Sequence, residues 1–171
     1  GQWVWAVNFN TATNNASNTS RVMGLAETFS GNLIVSGYHK GVTDFGGITE
    51  VSPDNELFLM ELDRNSGATN WVTTAGGIGN DDGGPVAIDS MGNIWQAGTT
   101  TGTFSVNGMT HQAVSNADTI LVKWSPSGVA QSVIGFSSSA SEINLPEDMI
   151  VTSHDDVVVS GVFLGSMNAG N

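Results

Sequence analysis

Apolar residues come along this chain in short bursts, each closed by a cluster of Gly, Ser, Asn or Asp. Leu33-Ile34-Val35, Leu57-Phe58-Leu59-Met60, Val86-Ala87-Ile88, Ile120-Leu121-Val122 and Val157-Val158-Val159 are examples. Bursts of this length, rich in branched side chains and bounded by turn residues, predict β-strands. No stretch keeps a helical period with caps at its ends, so helix content is expected to be small.

The bursts repeat. Leu25-Ala26-Glu27-Thr28-Phe29-Ser30-Gly31-Asn32-Leu33-Ile34-Val35-Ser36-Gly37 aligns with Val86 to Gly98 and with Met149 to Gly161. The closing glycines Gly37, Gly98 and Gly161 are 61 and 63 residues apart, and each is followed four residues later by Gly41, Gly102 or Gly165. Between them a second pair aligns. Leu57 to Asp63 runs into Arg64-Asn65-Ser66-Gly67, and Thr119 to Trp124 runs into Ser125-Pro126-Ser127-Gly128. Further strands are expected at 70–74 and 129–135.

Four antiparallel strands in a period of about 61 residues predict a β-propeller blade, which must pack on neighbours to bury both faces. The expectation is therefore an all-β chain holding an incomplete array of blades. Residues 1–21 supply the last strand of a preceding blade, over 3–8, and a loop. Residues 22–75 and 85–136 form two blades, and 147–165 part of a third. Neither end of the chain reads as a natural terminus. Open blade faces and strand edges predict self-association, with the 3–8 strand adding to a partner's incomplete blade.

Gly41-Val42-Thr43-Asp44-Phe45-Gly46-Gly47, Leu57 to Gly67, Asn70-Trp71, Gly76-Gly77, Asp81-Asp82 and Ala87 to Ile94 together resemble the bacterial β-propeller repeats called SBBP. The likeness covers most of 22–165 and is thinnest in the third period, where Ser153-His154-Asp155-Asp156 replaces a Gly-Asn turn. It implies a propeller architecture in a secreted or surface bacterial protein, and no particular activity. Asp63, Ser66, Gly67 and Trp71 also resemble the tryptophan-docking motif of quinoprotein-type propellers, which implies that they staple neighbouring blades.

Composition narrows the partners. Of 171 residues, 39% are hydrophobic and only 12% charged, with 22 glycines, as suits short strands and tight turns. The net charge of −12 opposes binding to nucleic acid and anionic lipid. With no cysteine, thiolate chemistry and Cys-based zinc sites are excluded. No apolar run approaches the ~20 residues of a membrane helix, so no membrane insertion is expected.

Candidate chemistry is sparse. Asp81-Asp82, in the Gly-rich stretch 76–84 that is expected to be a flexible loop, offers two carboxylates to a hard cation such as Ca²⁺, or else caps a turn. Asp63 to Gly67 lacks the closing acid of a Ca²⁺ loop, since Thr74 stands there. No cofactor is otherwise implied. His39, His111 and His154 have no partners at ligand spacing and are expected on the surface or rim. Trp71 and Trp124 are expected in packing. Trp95, Tyr38 and Trp3 are the aromatic candidates for stacking on a sugar ring. No nucleophile elbow, P-loop or dinucleotide fingerprint occurs. Two functions follow: a non-catalytic module contacting carbohydrate or protein through loops on one face, or part of a glycosidase- or lyase-like propeller enzyme. The second needs carboxylates among Asp81, Asp82, Glu142, Glu147 and Asp148 to converge in one cleft.

Overall fold

A computed structural model describes residues 5–11, 18–114, 116–137, 144–164 and 168–169. Among these the chain is all β, with antiparallel sheets and no helix. Strands β1 (Asn10–Thr11), β2 (Thr19–Glu27), β3 (Leu33–Asp44), β4 (Thr49–Leu62) and β5 (Thr69–Ile78) come first. β2 to β5 form an antiparallel meander, each strand pairing with the next. The second meander is β6 (Asp81–Ile88), β7 (Ile94–Thr100), β10 (Asp118–Trp124) and β11 (Ala130–Ser137). Between β7 and β10 a hairpin, β8 (Thr103–Val106) and β9 (Met109–Gln112), leaves the second sheet and pairs with the end of β5. A final hairpin joins β12 (Asn144–Val151) to β13 (Val157–Phe163), and β14 (Asn168–Ala169) lies on β11. The described residues form no closed ring.

The sequence period is reproduced in the ladders. Gly37 faces Phe58 as Gly98 faces Ile120, and Ser36 faces Leu59 as Ala97 faces Leu121. The turns repeat as well. In 28–32, 89–93 and 152–156 the first amide donates to the fifth carbonyl, and the fourth amide to the first carbonyl. The fourth residue is left-handed in each: Gly31, Gly92 and Asp155, at φ 85°, 82° and 63°. The third period thus keeps the turn although its sequence departs, because Asp is among the few residues that tolerate this conformation.

Each first strand also carries a β-bulge at the same level. It lies between Val22 and Gly24 in β2, Gly83 and Val86 in β6, and Pro146 and Asp148 in β12. The bulge explains the closing glycines. A Cβ on Gly37 would lie 1.9 Å from the Arg21 carbonyl oxygen. On Gly98 it would lie 2.6 Å from that of Asp82, and on Gly161 2.1 Å from that of Leu145.

Period-two alternation sends each strand's side chains to two layers. Ile34, Leu57, Leu59 and Ala75 of the first sheet meet Val86, Ile94, Ile120, Val122 and Trp124 of the second, with Phe104 from the β8–β9 hairpin. The opposite face of the first sheet, with Val35, Phe58, Met60 and Leu62, is covered by Trp5 and Phe9. The opposite face of the second, with Ala97 and Leu121, takes Met149, Val157 and Val159 from the final hairpin. Trp71 reaches across the interface: a Cβ on Gly128 would lie 2.7 Å from its ring. Trp5 covers Gly67 in the same way, and its Nε1–H donates to the Arg64 carbonyl at 2.9 Å.

Two expectations are corrected. Residues 5–9 form no strand; they lie on their own first sheet because Trp5 and Phe9 have an apolar face to cover. The stretch 76–84 is not a loop: β5 runs to Ile78 and β6 begins at Asp81, leaving only Gly79 and Asn80 between them.

Candidate binding cleft

Three first strands, β2, β6 and β12, converge at their bulged ends around an open cleft of ≈ 350 Å³. A bulge frees one residue from the ladder and re-aims it. Here the freed residues Met23, Gly84-Pro85 and Glu147 all line the cleft. Backbone at Gly83, Gly84 and Gly98 contributes to its lining, and the Ser36 hydroxyl anchors this backbone by donating to the Gly84 carbonyl at 2.6 Å. The remaining lining includes Arg21, Tyr38, Asp82 and Thr99. The Asp82 carboxylate is oriented by the Asn55 side-chain amide, which donates to Oδ1 at 2.8 Å.

The cleft gathers some of the predicted residues and leaves others out. Tyr38, half-buried, lines it, as do Asp82 and Glu147. Asp81 does not line it. It is fully buried, and its Oδ2 accepts the Gly77 amide at 2.8 Å. Burial raises its pKa to about 6, opposed by hydrogen bonds from Thr100 and Gly77 and reinforced by the charges of Glu56 and Asp82. Adjacent positions on a strand point to opposite faces, so Asp81 and Asp82 do not act as one chelate. Among the described residues no group of three or more His, Asp or Glu gathers to hold a metal ion. Asp148 accepts the Met149 amide at 2.8 Å. Glu142 and Trp3 lie outside the described residues.

Trp95 is a packing residue. Its ring lies against the final hairpin, Lys123 Nζ sits 5.0 Å from the ring centroid, and its Nε1–H donates to Asp89 at 3.3 Å. Asp89 belongs to a turn, where it also accepts from the Met91 and Asn93 amides. Asp63 caps its own turn, accepting from the amides of Asn65 and Ser66 and from the Ser66 hydroxyl. These three bonds hold its pKa below the usual carboxylate range.

The histidines separate. His154 is exposed, as expected. His39 is a correction: it is fully buried, edge-on to Phe45 at 5.4 Å, because it shares a strand face with Val35. Desolvation lowers its pKa to about 4. His111 Nε2 pairs with Asp118 Oδ2 at 2.9 Å, and Ser137 Oγ donates to the same oxygen at 2.7 Å. These are the residue types of a hydrolase triad in the wrong order, since the carboxylate and not the imidazole stands between the other two.

Arg21 and the bulges were not picked out from the sequence. One signal was available: each bulge lies opposite a closing glycine, and those glycines mark the period. No protein-family model and no curated protein sequence matches the chain. No helix among the described residues is long and apolar enough to cross a membrane.

Proposed function

We propose that the chain is a run of β-propeller blades and that the cleft between its three first strands binds a polyhydroxylated ligand, a short saccharide, at the outside or surface of a bacterial cell. The supporting observation is the convergence of the three bulges on one cleft lined by Tyr38, Arg21, Asp82 and Glu147. A saccharide presents apolar ring faces and a rim of hydroxyls. Tyr38 offers a surface for the first. Arg21, Asp82, Glu147 and Thr99 offer donors and acceptors for the second. The volume is at the small end of ligand pockets, which run from about 300 to 1,000 Å³. The net charge of −12 disfavours a polyanionic sugar.

Calorimetric titration with a panel of neutral oligosaccharides tests this. One class should bind, and Tyr38→Ala and Asp82→Asn should each weaken it at least about tenfold, the cost of losing one good contact. No binding by any neutral saccharide overturns the reading.

The pairing of Asp82 with Glu147 in one cleft favours a second reading, glycoside cleavage by two carboxylates. Product analysis after long incubation separates the two. Release of reducing ends, abolished by Glu147→Gln with binding retained, would make the cleft catalytic.

A further inference from the structure

His39 is buried without a polar partner. It has no exposed surface, and among the described residues neither ring nitrogen makes a hydrogen bond. Its ring stands edge-on to Phe45 at 5.4 Å, and Phe45 packs in turn on Phe9 at 5.6 Å and Phe58 at 4.9 Å. A neutral imidazole tolerates this apolar setting, whereas an imidazolium needs water or a counter-charge.

The surroundings offer little counter-charge. Across the ladder, β4 sets Glu56 opposite His39, but the Glu56 side chain lies over Gly76 beside Asp81. Lys40 pairs with Asp54 at 3.6 Å, and Glu50 stands farther along, opposite Thr43. On the other side β2 sets Ser20 opposite His39. Residues 5–11 contain no titratable side chain.

Those residues are also the lightest layer over this face. The face carries Val35, Phe45, Phe58 and Met60, and Trp5 and Phe9 cover it. The cover is held by the bond from Trp5 Nε1–H to the Arg64 carbonyl and by two ladder pairs, Asn10 with Asp44 and Thr11 with Thr43. Ala6, Val7 and Asn8 between them are exposed. β3 and β4 beneath are inner strands with a neighbour on each side. The least costly way to bring His39 to water is therefore to lift the segment and leave the sheet intact.

We propose that residues 5–11 form an acid-opened latch: protonation of His39 releases the segment from the first sheet and uncovers the face of Val35, Phe58 and Met60. The closed state holds the ring neutral, with a pKa of about 4, and the open state returns it toward 6.5. The latch is thus shut above pH 6.5, and its opening constant grows by up to about tenfold per pH unit as pH falls toward 4.

Nuclear magnetic resonance across pH 7 to 4.5 tests the latch on the unmodified chain. Amide protection of residues 9–11, corrected for the intrinsic exchange rate, should fall at least about tenfold between pH 7 and pH 5 while that of β4 and β10 holds. His39→Phe and His39→Leu should each abolish the fall. Phe9→Ala should loosen the cover at neutral pH and move the His39 imidazole midpoint from about 4 toward 6.5. Protection of 9–11 that does not change with pH overturns the proposal, as does an equal fall in the His39 variants. Loss of protection in 9–11 and β4 together, or a His39 midpoint that Phe9→Ala leaves in place, overturns it as well.

Discussion

Burial acts in opposite senses on Asp81 and His39. Asp81 has a folded pKa of about 6 against 3.8 unfolded. The folded state binds the extra proton between these values, so this contribution to stability is full below pH 3.8 and is lost as pH rises through about 6. His39 has a folded pKa of about 4 against 6.5. Here the unfolded state binds the extra proton, so stability is full above pH 6.5 and is lost as pH falls toward 4. The two slopes offset each other between about pH 4 and 6. Relative to the unmodified chain, Asp81→Asn should therefore make stability rise with pH across that window, and His39→Phe should make it fall. Urea unfolding at several pH values measures both, and parallel curves for all three proteins would refute the account. Neither residue was legible as buried. His39 looks polar in isolation, and only its shared parity with Val35 signals its place. Asp81 was hidden by a glycine run that reads as a loop but is two strands. Asp82, Glu147 and Tyr38 could be named from residue type, whereas their meeting depends on long-range strand order.

At the scale of elements, a bulge and its glycine form one device repeated along the chain. Gly98→Ala would place a methyl against the Asp82 carbonyl, with Leu57 at 3.3 Å on another side. The backbone must shift, and a cost of about 1–3 kcal/mol in chemical denaturation is expected. Gly108→Ala is the comparison. Nothing lies within 4 Å of its Cβ, so only the strain of a φ of 77° acts. The tryptophan staples make a second device. Trp71→Ala should destabilise by about 3 kcal/mol, toward the low end for tryptophan because the ring is only partly buried. The repeat made the meanders and their turns readable, including the one at Ser153 to Asp156. It was not used to place β8–β9, although this hairpin repeats the far end of β3–β4 at the same spacing, Thr103 facing Gln112 as Val42 faces Val51, and Asn107-Gly108, a strong hairpin turn signal, stands where Gly46-Gly47 do, all four with positive φ. The strand expected over 3–8 failed over 5–8 because the alternation of Trp5 and Val7 arises from docking, not from a ladder.

Across the whole molecule, protection should follow the layers. β3, β4, β7 and β10 are inner strands with a neighbour on each side and packing on both faces. β12 and β13 have one covered face. Amide exchange at low concentration should therefore be slowest in the first group and fastest in the final hairpin. Uniform rates would mean that the layers unfold as one unit. The same layering explains why the sequence conveys the sheets better than the cleft. Each sheet is assembled from strands close in the chain, while the cleft joins Arg21 and Asp82 from the two meanders with Glu147 from the final hairpin.

The repeated bulge gives the chain an evolutionary freedom. Met23 and Glu147 stand at corresponding levels of two strands, outside the regular ladder pairing and on the cleft, and Pro85 stands one residue beyond that level in the third. Mutation at such a position changes what the cleft presents while the layers beneath keep their register. One framework can then vary the surface it presents by exchanging side chains at these bulges, much as a combination lock is reset by turning its wheels.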